Sequence, residues 1–510
     1  MAGLAARRGG WMAAGAGLLL PLAFAPFDLY PLAIACVAML FLTWADATPR
    51  AATWRGFLFG SGAFLTGTYW IYISVALVAG VPAYVALPLM LGLIAIMAGY
   101  FALLGFMVAR WLRFDTSLRW LVAVPAAWVL VEWLRGWMLT GFPWLTLGYS
   151  QVGSWLGSLA PVLGVYGVSW SVAASAGALA VLVSGPARLR AGVVLAGIWL
   201  ASGVLSAIEW TDPAGQPLQV ALVQGAVPQK IKWDAAQLEP TLDLYRELTD
   251  AHWDSDLIVW PEAAIPAFAH QVGGYLRKLQ ARARRHGAAI VLGIPHYEPD
   301  TDEYRNGVLV MDDVLQMYAK RHLVPFGEYF PVPAFVRAWM QRQNLPFTDQ
   351  SPGAPDPEPY SAAGEQLALS ICYEDAYGAE QLSYFPQATL LVNVSNDAWF
   401  GDSVAPHQHL QIARMRSRES GRWQLRATNT GVSAIIASDG SVARSLPQFV
   451  TGVLRARVQP HRGSTPYMTF GNYAVIIVML LVVAISILAA RGHFPLPLEK
   501  RDRTNREGPQ

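Results

Sequence analysis

The sequence has little charge and only two cysteines. Asp, Glu, Lys and Arg make up 14% of its 510 residues, against roughly 25% in typical soluble domains, and 54% of the residues are hydrophobic. This composition excludes a purely soluble protein. The formal net charge of +2 is close to neutral, so it gives no reason to expect nucleic acid as a partner.

The scarcity of cysteine also excludes a disulfide in the charged part of the chain. Cys36 lies in an apolar stretch near the N-terminus, whereas Cys372 lies far along the chain among polar and charged residues. Cys372 therefore has no cysteine partner in its own region and is predicted to remain a free thiol. An unpaired thiol in an exported domain is unusual and marks a candidate reactive group.

Long apolar runs occupy the N-terminal two fifths of the chain, and one more occurs close to the C-terminus. A helix needs about 20 mostly apolar residues to cross the hydrocarbon core of a bilayer. Eight spans are predicted on this basis. They lie near 11–26, 31–45, 56–76, 83–109, 119–138, 160–184, 191–208 and 472–490.

The positive charges between these spans predict the orientation of the chain. With the N-terminus inside, the short outer loops carry only Arg135, and the other basic residues fall on the cytoplasmic side, as the positive-inside rule requires. The inner residues are Arg7, Arg8, Arg50, Arg55, Arg110, Arg113, Arg119, Arg188 and Arg190, with Arg491, Lys500, Arg501, Arg503 and Arg506 in the tail. The first run also resembles a signal peptide ending at 23–25, but the proline that follows and the later spans favour an uncleaved helix.

The predicted organisation has four parts. Residues 1–208 form a seven-helix transmembrane region, 209–470 an extracytoplasmic domain, 471–491 a last transmembrane helix and 492–510 a polar cytoplasmic tail. Short apolar strands alternate with helical stretches from 217 to 460, which indicates an α/β layered domain. The segment 325–360 fits no regular element, and a loop of this length is usually a lid or binding loop. Its aromatic residues are Phe326, Tyr329, Phe330, Phe335, Trp339 and Phe347.

Three residues in the outer domain suggest nucleophilic chemistry. Cys372 ends the apolar run 367–371, Glu262 ends another such run, and Lys320 lies between them in sequence. A thiol attacks as the thiolate, so it needs a base or a nearby cation, which Glu262 and Lys320 can supply. Each residue also has a plain structural interpretation. A lone cysteine is usually buried and inert, a glutamate after Trp-Pro can cap a helix, and a lysine beside arginine can lie on a solvated face.

Taken together, the segments around these residues resemble the nitrilase, or carbon–nitrogen hydrolase, superfamily. The three signatures are 259–263 (Val-Trp-Pro-Glu-Ala), 320–329 (Lys-Arg-His-Leu-Val-Pro-Phe-Gly-Glu-Tyr) and 370–375 (Ser-Ile-Cys-Tyr-Glu-Asp). The segments 140–145, 223–233, 394–401 and 425–431, and the order of seven spans, outer domain and one span, resemble more narrowly the apolipoprotein N-acyltransferase family. This resemblance covers nearly the whole chain.

The resemblance implies a fold and a chemistry. It implies an αββα sandwich in which Glu262 is the base, Lys320 stabilises the thiolate and the oxyanion, and Cys372 is the nucleophile. The backbone N–H of Tyr373 would complete the oxyanion hole. Residues matching Trp233, Glu328, Tyr373 and Glu374 support the site, with Glu328 serving Lys320 or the amine and Trp233 serving the acyl or lipid site, unless Trp233 simply packs in the core or at an interface.

The implied reaction is acyl transfer in a bacterial inner membrane. Cys372 would take an acyl chain from a phospholipid, expected to be phosphatidylethanolamine, and pass it to the α-amine of a diacylglyceryl-cysteine at the N-terminus of an apolipoprotein. No cofactor is implied, and His407 and His409 are too few for a metal ligand set. Two alternatives remain: a membrane-tethered amidase acting on a small amide, and a non-catalytic transporter or receptor. The latter predicts a functional polar residue within a span, for which Glu132 is the main candidate.

Overall fold

The computed structural model describes residues 2–114, 117–184, 186–332 and 349–491, together with Phe335 and Arg337. The N-terminal part is helical. Its helices are α1 (Ala2–Leu19), α2 (Pro31–Trp44), α3 (Pro49–Gly67), α4 (Trp70–Val78), α5 (Ala83–Arg110), α6 (Val124–Arg135), α7 (Ala160–Ser184) and α8 (Arg188–Leu205). Every predicted span falls on one or two of these helices or on the C-terminal helix.

Four helices of the described residues are long and apolar enough to cross a membrane, or five if the bent pair α3 and α4 is one span. The four include the C-terminal helix Tyr473–Ala490, whose sequence is uncharged throughout. The span predicted near 56–76 falls on the pair α3 and α4, and the chain bends by 53° between Gly67 and Trp70. The helix α2 is apolar but is shorter than these four helices, and α6 has only 12 residues. The count of eight spans stays a prediction.

Two six-stranded sheets form the C-terminal α/β part. The first has the order β13-β2-β3-β4-β5-β6 and the second the order β12-β11-β10-β9-β8-β7. In each sheet three central strands run parallel and the outer strands are antiparallel. The strands of the first sheet are β2 (Leu218–Gln224), β3 (Leu257–Val259), β4 (Ala289–Glu298), β5 (Glu303–Met311), β6 (Leu315–Ala319) and β13 (Gly452–Val458). Those of the second are β7 (Tyr360–Ala362), β8 (Glu365–Ile371), β9 (Leu390–Ser395), β10 (Gln424–Thr428), β11 (Ser433–Ile436) and β12 (Val442–Leu446).

The sheets pack face to face between two layers of helix. Alternate strand residues point to opposite faces, and those facing inward form one continuous apolar core that includes Val220, Val259, Leu369 and Val392. The outer face of the first sheet packs against Leu238–Asp250 and Gly273–His286, and that of the second against Ala405–Ser420. This is a nitrilase-like αββα sandwich, which confirms the predicted fold of this part.

The helical part and the sandwich share a packed boundary. The helix Ala405–Ser420 lies against α7, and its buried Ile412 and Met415 belong to the same apolar cluster as the membrane helices. Several buried hydrogen bonds cross this boundary; for example, Gln408 accepts from the Trp144 indole at 2.7 Å, and Glu419 accepts from the Val165 backbone at 2.7 Å. Buried polar groups are normally paired, so these contacts fix the sandwich against the helices.

Candidate active site

The turn after β8 holds Cys372 in a strained conformation. Its φ is 52°, in the left-handed region that residues with a side chain rarely adopt. The next residues form a short 3-10 helix, Cys372–Ala376. A strained backbone at the end of a strand persists only where its surroundings hold it, and such positions cluster at functional sites. The turn places the thiol at the rim of the second sheet, where the sequence predicted it.

Glu262 lies beyond β3 with both carboxylate oxygens engaged. Oε1 accepts from the Asn306 amide at 2.7 Å, and Oε2 accepts from the Asn396 backbone N–H at 2.8 Å. The side chain is buried, so these two donors fix the direction of the carboxylate. Asn306 comes from β5 of the first sheet and Asn396 from the loop after β9 of the second. The two sheets therefore clamp Glu262 between them.

Lys320 follows β6 and is buried with its ammonium group paired. Nζ donates to Glu328 Oε1 at 2.7 Å, and the other oxygen of Glu328 accepts from the Val324 backbone at 2.7 Å. Burial acts to lower the pKa of Lys320, but the carboxylates of Glu328 and Glu262 outweigh it and raise that pKa above its ordinary value. Lys320 is therefore a permanent cation at neutral pH, and Glu328 is its partner.

The structure brings Glu262, Lys320 and Cys372 together. Both Glu262 and Lys320 are close enough for their charges to act on the thiol, in opposite directions. Burial has the largest effect and the Glu262 carboxylate adds to it, so the pKa of Cys372 lies above its ordinary value despite Lys320. The resting group is a thiol. A nucleophilic role for this thiol would require a base to remove its proton, and the Glu262 carboxylate lies close enough for its charge to act on the thiol.

Glu374 ties the cysteine turn to the lysine segment. Its carboxylate accepts from the backbone N–H of Ile371 at 2.6 Å and of Arg321 at 2.6 Å, and from the Tyr318 hydroxyl at 2.6 Å. Ile371 precedes the nucleophile and Arg321 follows Lys320, so one buried side chain fixes the spacing of the two segments. Glu374 supports the site without facing its centre.

Tyr373 contacts the membrane half. Its hydroxyl donates to the carbonyl of Gly141 at 3.2 Å, and the Tyr377 hydroxyl lies 2.9 Å from it. Trp144 stacks near the Tyr373 ring, with the centroids 6.4 Å apart. The buried Arg135 holds this loop by donating to the carbonyls of Phe142 and Trp144. The segment 140–145 therefore forms one wall beside Cys372.

Trp233 is exposed, and so are Phe326 and Phe335 of the aromatic segment, whereas Tyr329 and Phe330 are half-buried. The Trp233 side chain is 51% accessible, which excludes packing in the core of the described structure. Its neighbour Lys232 is buried and donates to the carbonyl of Glu262 at 3.2 Å, and burial lowers the pKa of Lys232 to about 8. Phe326 and Phe335 are 65% and 76% accessible. Trp339 and Phe347 lie outside the described residues, so the lid stays a prediction.

The Glu132 carboxylate accepts from the Leu147 backbone at 2.9 Å and lies near Arg135. These contacts of Glu132 help to hold the loop that Arg135 also holds, so Glu132 has a structural role.

Sequence reasoning missed several polar residues that complete the site. Asn306 and Asn396 orient Glu262, and Lys232 contacts its backbone. A second group, Asn393, Asp397, His409 and Arg426, lies buried beneath Cys372. The available signal was a polar residue inside an apolar strand, as at Asn393 in β9. Only the fold shows that these residues converge.

Cys372, Asp397 and His409 each offer a ligand atom, and these atoms lie within 4.8 Å of one another. The grouping does not suit a metal ion, because the Arg426 guanidinium donates to Asp397 at 2.9 Å and lies 2.9 Å from His409 Nδ1. A cation would have to compete with this buried positive charge.

Two facing sheets with a base, a lysine and a thiol at their rim define a carbon–nitrogen hydrolase domain. Residues 219–467 match the family model described as carbon–nitrogen hydrolase, and residues 16–178 match that of the apolipoprotein N-acyltransferase N-terminal domain. The chain is 43% identical to the apolipoprotein N-acyltransferase of Methylococcus capsulatus, over 90% of this chain and 92% of that protein. It is 41% identical to that of Azotobacter vinelandii, over 96% and 98%. The chain belongs to the apolipoprotein N-acyltransferase family.

Among solved structures, an amidase from Nesterenkonia is 19% identical over 52% of this chain and 97% of its own, with a TM-score of 0.36.

Proposed function

We propose that this protein is a membrane-bound acyltransferase that N-acylates apolipoproteins through a thioester on Cys372. The observation that carries the proposal is the strained, half-buried thiol, acted on by the charges of Glu262 and Lys320, in a sandwich packed against long apolar helices. Membership of the apolipoprotein N-acyltransferase family gives the class of acceptor. The acyl donor is a membrane phospholipid, for which phosphatidylethanolamine is the proposed species.

In the first half-reaction the Cys372 sulfur attacks the ester carbonyl of the phospholipid. Glu262 takes the thiol proton as the carbon–sulfur bond forms, and the carbonyl electrons move to its oxygen. Lys320 and the Tyr373 N–H stabilise this oxyanion. When the carbon–oxygen ester bond breaks, Glu262 returns the proton to the leaving alkoxide. The products are the acyl-thioester and a lysophospholipid.

In the second half-reaction the α-amine of the diacylglyceryl-cysteine attacks the thioester. Glu262 takes a proton from the amine as the carbon–nitrogen bond forms, and the same oxyanion site is used. The carbon–sulfur bond then breaks, and the thiolate regains the proton from Glu262. The reaction runs forward because a thioester is less stable than the amide that replaces it. Both substrates are lipids, so the helical half would serve to hold the site at the membrane that contains them.

Glu328 and Trp233 have separate proposed roles. Glu328 holds the Lys320 ammonium group in place, since it is the carboxylate bonded to Nζ. Trp233 is the exposed aromatic residue that we assign to the acyl chain or lipid. An exposed indole next to a buried, site-facing lysine suits contact with a molecule from outside the fold.

The proposal predicts a covalent intermediate. With phospholipid alone, the wild-type protein should gain one acyl mass on the peptide that contains Cys372. The adduct should be released by neutral hydroxylamine, as expected of a thioester, and discharged by a diacylated lipopeptide with ping-pong kinetics. Intact-protein and peptide mass spectrometry measure each step.

Cys372→Ala is the control and should carry no adduct. Acylation of the lipopeptide by wild type without any acyl mass on the Cys372 peptide would show that the covalent mechanism is wrong. Hydrolysis of small amides without transfer to the lipopeptide would favour the amidase alternative.

We also propose that the chain crosses the inner membrane eight times, with residues 209–470 in the periplasm and both termini in the cytoplasm. The arginine distribution supports this orientation, because the opposite one would place most of the loop arginines outside. Under this topology the exposed Trp233 and the Cys372 turn lie on the periplasmic side.

Cysteine labelling tests the topology. Single cysteines are placed at exposed Asp300 and in the tail of a chain whose native thiols have been removed, and intact spheroplasts are treated with an impermeant maleimide. The position in the sandwich should label, whereas the tail should label only after the membrane is permeabilised. The reverse pattern would overturn the proposed orientation.

A further inference from the structure

A buried polar group holds the backbone carbonyl of Cys372. His409 Nε2 lies 3.1 Å from this oxygen, and Asn393 Nδ2 donates to it at 3.3 Å. A carbonyl oxygen only accepts, so Nε2 must carry a hydrogen and donate it. Both side chains are fully buried. The two lone pairs of the carbonyl are therefore occupied by side chains that come from a strand of the second sheet and from the helix Ala405–Ser420.

These two donors are themselves fixed. The Arg426 guanidinium donates to Asn393 Oδ1 at 2.7 Å and to Asp397 Oδ2 at 2.9 Å, and it lies 2.9 Å from His409 Nδ1. Arg426 and Asp397 counter each other's charge, and the Arg426 charge together with the hydrogen bond between His409 and Asp397 holds the pKa of Asp397 below its ordinary value although burial opposes this. A buried network joined by this many mutual hydrogen bonds leaves its members little freedom to move.

Holding this carbonyl also sets the direction of the Tyr373 N–H. The peptide between Cys372 and Tyr373 is planar, and in a trans peptide the carbonyl and the following N–H point in opposite directions. Fixing one end of the group therefore aims the other. Hydrogen bonds to the carbonyl also polarise the amide and make its N–H a better donor.

We infer that His409 and Asn393 are positioning residues for the oxyanion hole, acting through the Cys372–Tyr373 peptide. This inference rests on the proposed function for the role of the Tyr373 N–H. The left-handed φ of Cys372 gives the network a second purpose, because a strained peptide needs contacts that prevent it from turning to a relaxed conformation.

The test separates reactions that form an oxyanion from those that do not. With p-nitrophenyl butyrate, Cys372 forms a carbon–sulfur bond, the thiol proton passes to Glu262, and p-nitrophenolate leaves after an oxyanion has formed. With iodoacetamide, the same sulfur displaces iodide and no oxyanion arises. Loss of the oxyanion hole slows the first reaction alone, whereas disorder of the fold or of the thiol slows both. Neither probe depends on the lipid substrates, so failure of the proposed function can be told apart from failure of this inference.

Two substitutions at His409 differ in reach. In His409→Asn the side-chain amide replaces the Nδ1 end and cannot reach the Cys372 carbonyl, whereas in His409→Gln the amide nitrogen can occupy the place of Nε2. Ester acylation should fall about 10- to 100-fold in His409→Asn, because one oxyanion donor is misdirected rather than removed. His409→Gln should recover most of that rate. Iodoacetamide should alkylate Cys372 in both variants at the same rate as in wild type.

His407→Asn, on the same helix and outside the network, is the matched control and should match wild type in both reactions. Asn393→Asp provides an independent variant, because it keeps the acceptor for Arg426 and removes the donor to Cys372. Asn393→Asp should also lose ester acylation while its alkylation by iodoacetamide is unchanged. Equal losses of ester acylation in His409→Asn and His409→Gln, parallel losses with both probes, or no Cys372-dependent release of p-nitrophenol from wild type would each overturn the inference.

Discussion

Replacing Glu262 with glutamine is expected to slow both half-reactions by about 10²–10⁴-fold, the usual contribution of a general base. The effect should be large because burial holds Cys372 as a thiol, so no preformed thiolate can replace the missing base. The rates of both half-reactions should fall, because the same carboxylate accepts the proton of the thiol and later that of the amine. The rate of acyl-enzyme formation from phospholipid and the rate of its discharge by lipopeptide measure the two effects separately.

The glutamine variant should fold, because its surroundings can adapt. Oδ1 of Asn306 has no hydrogen-bond partner in the described structure, so rotation of the Asn306 amide can present an acceptor to the new NH2 group. Glu365→Gln is a matched control, also buried and lying at the start of β8, and it should retain wild-type rates. A Glu262→Gln protein with unchanged acyl-enzyme formation would exclude Glu262 as the base.

Replacing Lys320 with methionine is expected to lower both half-reactions by about 10²–10³-fold, as loss of one oxyanion donor does. The pKa of Lys320 lies above its ordinary value, so its positive charge is present throughout the pH range in which the protein is stable. The loss should therefore not be recovered by changing the pH. Single-turnover rates with phospholipid, measured at several pH values, give the expected parallel curves.

Methionine at 320 also leaves the half-buried Glu328 carboxylate without its cation, and loss of the partner of a charge removed from water is destabilising. The double variant Lys320→Met with Glu328→Gln removes that charge. Its thermal unfolding temperature should rise above that of Lys320→Met, whereas its activity should stay low. Recovery of activity together with stability would mean that Lys320 acts only by keeping Glu328 neutralised.

Periodicity and composition predict much of this fold because most elements are apolar. The runs that become α5, α7 and Tyr473–Ala490 are long, and β2, β8 and β9 are nearly continuous apolar strands between helices. The strand β12 could not be predicted, because it lies at the edge of its sheet and most of its residues are exposed. The bend between Gly67 and Trp70 was missed for another reason. The residues on both sides of the bend are apolar, so the hydropathy pattern does not reveal the bend.

The site was predictable where a residue ends an apolar run. Glu262 and Cys372 both do so, with Lys320 between them in sequence, and the resemblance added Glu328. The network beneath the nucleophile was not predictable, because a buried charge in a strand makes sense only beside its partners. Arg426 meets Asp397 and His409 from positions 29 and 17 residues away, and no local pattern links them.

The shared boundary between the helices and the sandwich has a consequence for how such proteins diverge. Trp144 of the helical half bonds to Gln408, Tyr149 donates to the carbonyl of Ala376, and Tyr373 donates to Gly141. A chimera that joined the helices of one relative to the sandwich of another would set unmatched surfaces against the nucleophile turn itself. We therefore expect a working chimera to need matching substitutions on both sides of this boundary.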